Sequence, residues 1–326
     1  MITKEYGFLG ALHSGRIKEI RSIPKADLHN HCLMGGRKSD IEKFAGKKLA
    51  FFHPVAGNIQ ELDQWIEKEY RPVLENFPDA FENAVGAAFL QAKRDGVTIL
   101  ESSIDSGYGT AFRIPPEKIV ATLKRAHQTI APDIDFRPEL GFIRGQSIRS
   151  VMVNMEPFLD FNFFKSIDLY DDELSQPIRN FREIYRFAKS IGMKCKAHVG
   201  EFGTADAVKE AVEELGLDAV QHGIAAATSP SVMKWLASHQ VRLNICPASN
   251  IRMKLARSYK THPIRILFDH GVKVTINTDD VLLFGQGTSE QYLKLFNAGV
   301  FSGDELDIIR KNGLDPEPEN NLSKTF

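Results

Sequence analysis

The stretch "KADLHNHCLM", residues 25–34, decides how the rest of the chain is read. It begins as a short strand and ends in two histidines separated by one asparagine. Residues two apart in a strand share a face, so His29 and His31 project side by side. The turn after this strand matters as much. An open doubly wound sheet that binds a dinucleotide carries a G-x-G-x-x-G turn after its first strand, and none is present here.

The same kind of unit recurs along the chain. Candidate strands are "IPKADLHNH" (23–31), "VTILESSID" (97–105), "DFRPELGFI" (135–143), "FKSIDLYD" (164–171), "KCKAHVGE" (194–201), "DAVQHGIA" (218–225), "VRLNICPAS" (241–249) and "VKVTINTDD" (272–280). Amphipathic stretches lie between them. "PPEKIVATLKRAHQTI" (115–130) opens on prolines, which suit a helix start. "ELSQPIRNFREIYRFAKSIG" (173–192) and "ADAVKEAVEELG" (205–216) each stop at a glycine. Strands alternating with helices predict a parallel sheet, because parallel neighbours need crossover connections. Eight such units close a (β/α)8 TIM barrel of the α/β class. Segment 32–96 is too long for one βα unit and predicts extra helices after the first strand, placed as a lid over the barrel mouth. No linker or short repeat interrupts the chain, so residues 1–326 read as a single domain.

The 326 residues are 43% hydrophobic and 25% charged, ordinary values for a globular protein with a large core. A net charge of −1 gives no support to nucleic-acid or membrane-surface binding, which usually need clustered basic charge. No apolar run approaches the roughly 20 residues of a membrane-spanning helix. The opening "MITKEYGFLG" lacks the basic-then-apolar layout of a secretory signal. Cys32, Cys195 and Cys246 are isolated and odd in number, which suits a reducing cytoplasm rather than a disulfide framework.

Barrel chemistry gathers at the C-terminal ends of the strands. Those ends carry His29 and His31, then His198 and Glu201, then His222, then Asp279 and Asp280. A lone histidine at a strand end is an ordinary hydrogen-bonding residue, and an aspartate pair is an ordinary helix cap. One geometry, however, brings all of them together. Three imidazoles and a carboxylate suit Zn2+ with a position left open for water. Such a water ionises near neutral pH and becomes a nucleophile. Glu201 is placed to donate or accept the proton that hydrolysis requires. Cys195 alternates to the face opposite His198 and reads as a small core residue.

"PKADLHNH", "KAHVGE", "VQHGIA", "NICPASN" and "VTINTDD" resemble the five signature segments of the adenosine deaminase family of zinc amidohydrolases. They occur in the family's order, and the resemblance runs from about residue 22 to near 312. It implies one Zn2+ per chain, held by His29, His31, His198 and Asp279. It also implies that Glu201 protonates purine N1 as zinc-bound hydroxide attacks C6, that His222 orients and polarises the attacking water, and that Asp280 hydrogen-bonds N7. Ammonia then leaves a 6-oxopurine. In "SIDLYDD" (166–172) the backbone N–H of Asp171, a position where the family usually has glycine, would meet purine N3. His31, Leu33, Asp171 and Asp280 would face this small-molecule substrate.

Three segments depart from the family pattern. Leu33 stands where nucleoside deaminases carry an acid that accepts from the ribose 5′-hydroxyl. An unpaired hydroxyl against leucine is disfavoured by roughly 1–3 kcal/mol. Ser103 replaces an arginine in "ESSID", and "TDDVLLF" lacks a proline after the double aspartate. The chemistry reads as complete and the substrate as open: adenosine held differently, free adenine, or a nucleoside with an altered or apolar 5′ group. "GGRK" (35–38) reads as a solvated basic turn or, for a nucleotide substrate, as a phosphate contact. Competing readings are another mononuclear-zinc amidohydrolase that opens a cyclic amide or ester, and an inactive purine-binding homologue. Many related enzymes use two metals bridged by a lysine at the fourth strand's end, and no lysine stands there.

Overall fold

The computed structural model describes residues 7–76 and 79–314. Eight parallel strands follow one another in chain order around a single sheet: β1 (Lys25–Asp27), β2 (Val97–Asp105), β3 (Asp135–Ile143), β4 (Ser166–Tyr170), β5 (Lys194–Val199), β6 (Ala219–His222), β7 (Arg242–Ile245) and β8 (Lys273–Ile276). The sheet curls until its last strand meets its first. Asn30 and Asp279 form a parallel bridge, and the Asp279 N–H donates to the His29 carbonyl at 2.8 Å. Below them the Thr278 N–H and hydroxyl both donate to the Asp27 carboxylate, at 3.0 and 2.5 Å. The expected (β/α)8 barrel is therefore the observed architecture.

β2 and β3 have the bounds expected from sequence, whereas β5 to β8 end earlier than their apolar runs. The backbone explains part of the difference. Gly200 (φ 69°) follows β5 and His222 (φ 60°) ends β6, whereas β7 runs into a helix that begins at Pro247 and β8 stops at Ile276, three residues before Asp279 (φ 59°). The helix expected over 173–192 begins later, as a 3-10 turn Ile178–Phe181 followed by the helix Arg182–Ser190. Two features keep 173–177 out of it. Glu173 turns its carboxylate inward to accept from the Gly200 N–H at 2.7 Å, and Pro177 steers the residue before it away from helical angles.

Apolar side chains fill the layer between strands and helices. Cys195 belongs to it, fully buried with its Sγ toward the Tyr185 carbonyl. Inside the barrel the floor is charged. Lys196 sits between Glu101 and Glu139, the latter at 2.6 Å, and Ser166 donates to Glu139 at 2.7 Å. The ion pairs make such burial tolerable, although Glu139 Oε2 has no partner; removing Lys196 would leave two uncompensated carboxyls.

Segment 32–96 contains the expected extra helices: Lys38–Ala45, Ile59–Trp65, a π turn Ile66–Tyr70, Arg71–Asn76 and Ala80–Asp95. Residues from Ile59 to Leu74 line the barrel mouth. The basic turn that precedes them is occupied internally. Arg37 donates to Gln91 and to Glu290, both at 2.6 Å, and Lys38 pairs with Glu42 at 2.7 Å. Gly35 and Gly36 permit this approach, since a Cβ on Gly36 would lie 2.6 Å from the Ala87 methyl. Gly36→Ala should therefore cost about 1–3 kcal/mol of stability by overpacking. A lowered urea midpoint with an unchanged slope is the expected result.

Candidate active site

The residues singled out at the strand ends converge at one end of the barrel. Three of them carry left-handed backbone: His222, Asp279 and Asp171, the last with φ 77°. Such angles are uncommon outside glycine, though aspartate and histidine tolerate them better than most. At Asp171 the angle accounts for a family glycine at this position, and the aspartate keeps the same backbone turn. Strain concentrated in this way is a mark of functional sites.

Four imidazoles form the centre. The His29 ring lies 4.5 Å from both His198 and His222 and 5.5 Å from His31, between centroids. One nitrogen each of His29, His31 and His198 falls within a sphere of mutual distances under 4.8 Å. Asp279 Oδ1 approaches the Nε2 of His31 at 3.3 Å and of His29 at 3.8 Å. The outward nitrogens are held from behind: His29 Nδ1 lies 3.2 Å from the Asn244 carbonyl and His198 Nδ1 3.2 Å from Asp168 Oδ1. The inward Nε2 atoms of His29 and His198 are buried and have no hydrogen-bond partner in the protein. Burial, followed by the neighbouring His198, lowers the His29 pKa to about 3, so its ring is neutral and its lone pair available. Orphaned nitrogens aimed at a carboxylate, with acceptors behind the rings fixing their tautomers, fit a divalent cation of the zinc type. His29, His222 and Cys246 make a second compact group. There burial pushes the thiol well above its usual pKa, which makes it a poor source of thiolate.

Beside this cluster stand the proton-handling groups. Glu201 Oε2 lies 3.4 Å from His222 Nε2, and Asp279 Oδ2 lies 3.7 Å from the same nitrogen. Asn250 Nδ2 faces His222 Nδ1 at 3.2 Å, an arrangement that leaves the ring proton on Nε2, toward the cavity. Burial raises the Glu201 pKa well above the usual carboxylate range, and Asp279 and Glu173 push the same way. Its carboxyl is thus held toward the protonated form. Asp280 is raised to about 8 by burial and then by Asp279, and its Oδ1 is buried without a partner.

His31, His198, Glu201, His222, Asp279 and Asp280 line a cavity of about 410 Å³, within the size range of small-molecule sites. Leu33, Ser103 and Asp171 are on its wall as well. Sequence reading missed several supporting residues. Asp168 and Asn250 lie inside quoted motifs but reveal their partners only when the strand register is known. Asp105 follows Ser103 by two residues on the same face of β2; its carboxylate accepts from the Tyr170 hydroxyl and the Gly107 N–H, each at 2.6 Å.

The adenosine deaminase family model matches residues 24–317. The chain belongs to the adenosine deaminase family. Among its relatives, an adenosine deaminase from Clostridium acetobutylicum is 34% identical over 313 residues, covering 91% of this chain and 93% of the relative. An adenine deaminase from Zymomonas mobilis is 28% identical over 316 residues, covering 91% and 92%. The solved structure of an amidohydrolase from Burkholderia ambifaria, with bound Zn, superposes with a TM-score of 0.80 at 22% identity and covers 96% of this chain and 90% of its own. That likeness is one of fold.

If Asp168 orients His198 toward a metal, Asp168→Asn should weaken zinc binding about 10–100-fold, read by competition with a chelator of known affinity. Unchanged zinc affinity would remove Asp168 from the site.

Proposed function

We propose that this deaminase hydrolyses a 6-aminopurine compound to the 6-oxopurine and ammonia, with one zinc ion per chain held by His29, His31, His198 and Asp279. The observation that carries this reading is one cavity lined by His198, whose Nε2 is orphaned, and by Glu201 beside His222, with the orphaned His29 Nε2 against the same imidazole cluster. The zinc-bound neighbour of the same fold supports the choice of metal. A zinc ion at these four residues supplies the Lewis acidity that lets a water ionise near neutral pH.

The remaining steps belong to the chain's own groups. Addition of a water oxygen to C6 breaks the aromatic sextet, and the displaced electron pair needs a sink. Glu201 provides one by delivering its proton to N1. His222, with its proton on Nε2 and Asn250 behind it, orients the attacking oxygen. The neutral form of Asp280 donates from its unpartnered carboxyl to N7, and the Asp171 N–H donates to N3. These three contacts hold the ring with C6 toward the imidazole cluster. The Glu201 carboxylate takes up the proton released by the attacking water and passes it to the amine. It then regains a proton from the added hydroxyl as the C6–N bond breaks and ammonia departs, so that Glu201 ends the cycle protonated. Three free, buried cysteines suit a cytoplasmic setting.

Glu201→Gln keeps the shape and the metal ligands but removes the acid. Turnover should fall at least about 100-fold, with zinc content still near one per chain. Ammonia release by this variant at the wild-type rate would exclude Glu201 as the proton donor.

A further inference from the structure

The cavity lining has two unlike parts. One carries the imidazoles, Glu201, Asp280 and the Asp171 turn, and a purine base satisfies it. The other is apolar, built by Leu33 and Met34 after β1, Leu62 and Ile66 from the inserted helices, Phe112 after β2 and Phe284 after β8. A bare purine would leave that second wall facing water, an unfavourable arrangement for so much apolar surface.

The polar groups near this wall limit what can occupy it. The Tyr70 hydroxyl, which could otherwise meet a sugar, donates to the Leu33 carbonyl. Among the described residues that line the cavity, Arg71 is the one lysine or arginine, and its guanidinium is held by Glu67 and Glu75, each at 2.8 Å. Asp63 and Asp171 also line the cavity. Their pKa values rise to about 6 and about 7, through burial first and acidic neighbours next, so the rim already resists further negative charge. Both can accept from ribose hydroxyls, while a phosphate would meet carboxyls and hydrocarbon. The GGRK turn offers no remedy, because Arg37 and Lys38 are engaged elsewhere.

We infer that the preferred substrates are 6-aminopurine nucleosides bearing an uncharged, apolar 5′ substituent, ahead of adenosine, free adenine and nucleotides. This rests on the deamination reading and names the substrate class of the same site. Leu33 and the inserted helices hold the 5′ group, and the missing acid at position 33 removes the partner a 5′-hydroxyl would need.

The test compares 5′-deoxy-5′-methylthioadenosine, adenosine, adenine and AMP on the zinc-loaded enzyme, by ammonia release and separately by the rise in melting temperature each compound causes. The methylthio nucleoside should exceed adenosine and adenine in kcat/KM by about tenfold or more, the scale of an apolar group in a matching pocket, with AMP lowest. Leu33→Asp, or Leu33→Asn should the charged variant not fold, should shift the ratio toward adenosine. Adenosine, adenine or AMP equalling the methylthio nucleoside would overturn the inference, as would an unchanged ratio in the Leu33 variant. If no compound releases ammonia, the deamination reading fails. The melting shifts then still decide the cavity's preference, and the methylthio nucleoside must give the largest.

Discussion

The site depends on one closure. β8 must return to β1 so that the Asp279 N–H reaches the His29 carbonyl at 2.8 Å, while Thr278 grips Asp27 across a sequence separation of 251 residues. Contacts this distant carry a large entropic cost of chain ordering, met here by seven further strand pairings that leave little freedom at the last seam. Once the seam forms, Asp279 stands 3.3 Å from His31 and 3.8 Å from His29. No local segment could assemble that group. A carboxylate from the last strand, two histidines after the first and one from the fifth meet only because a parallel barrel presents all its strand ends on one rim.

That rim then sets the protonation of the groups it gathers. Burial alone drives imidazoles toward neutrality and carboxyls toward their acid forms. His29 and Glu201 follow that rule, and the two outcomes are complementary: a free lone pair on one side and a retained proton on the other. Beneath them, Lys196 pairs with Glu101 and Glu139, Arg137 also reaches Glu101, and Glu139 Oε2 is left without a partner. The rim above adds further unpaired polar atoms. His29 Nε2, His198 Nε2 and Asp280 Oδ1 are all orphans of that kind, and a fold tolerates so many only where a ligand completes them.

Legibility in the sequence followed the same division. Strand number, order and the rim residues could be read because apolar runs alternate with helices and each of the runs that supply the site carries a histidine or an acid in its second half. The strand ends themselves could not be read: β6 stops at His222, whose φ is 60°, and β8 stops at Ile276, three residues before the left-handed Asp279. Asp168 behind His198, Asn244 behind His29 and Asn250 behind His222 were also hidden. Each pairing joins different strands or loops, and its register is a property of the closed barrel. Arg37 shows the converse. Its basic turn looks available in the sequence, and only the packed helix Ala80–Asp95 shows its guanidinium bound to Gln91 and Glu290.

The two parts of the cavity lining have different origins, and this bears on how substrate choice relates to chemistry. The part that holds the imidazoles is made by strand termini, whose positions the barrel fixes to within the tolerance of its hydrogen-bonded register. The far wall is made in part by an insertion, Ile59–Leu74, whose helices are broken by a π turn at Ile66–Tyr70. A π turn widens the helix by one residue and shifts the register of the helix beyond it. Tyr70 lies at the end of this turn and reaches the Leu33 carbonyl, tying the insertion to the turn after β1. Leu33 is therefore part of the inserted wall in packing, although it lies two residues from His31 in sequence. On the proposed reading, a change at Leu33 alters which purine derivative is accepted, while His29, His31, His198 and Asp279 are delivered by the barrel strands rather than by the insertion.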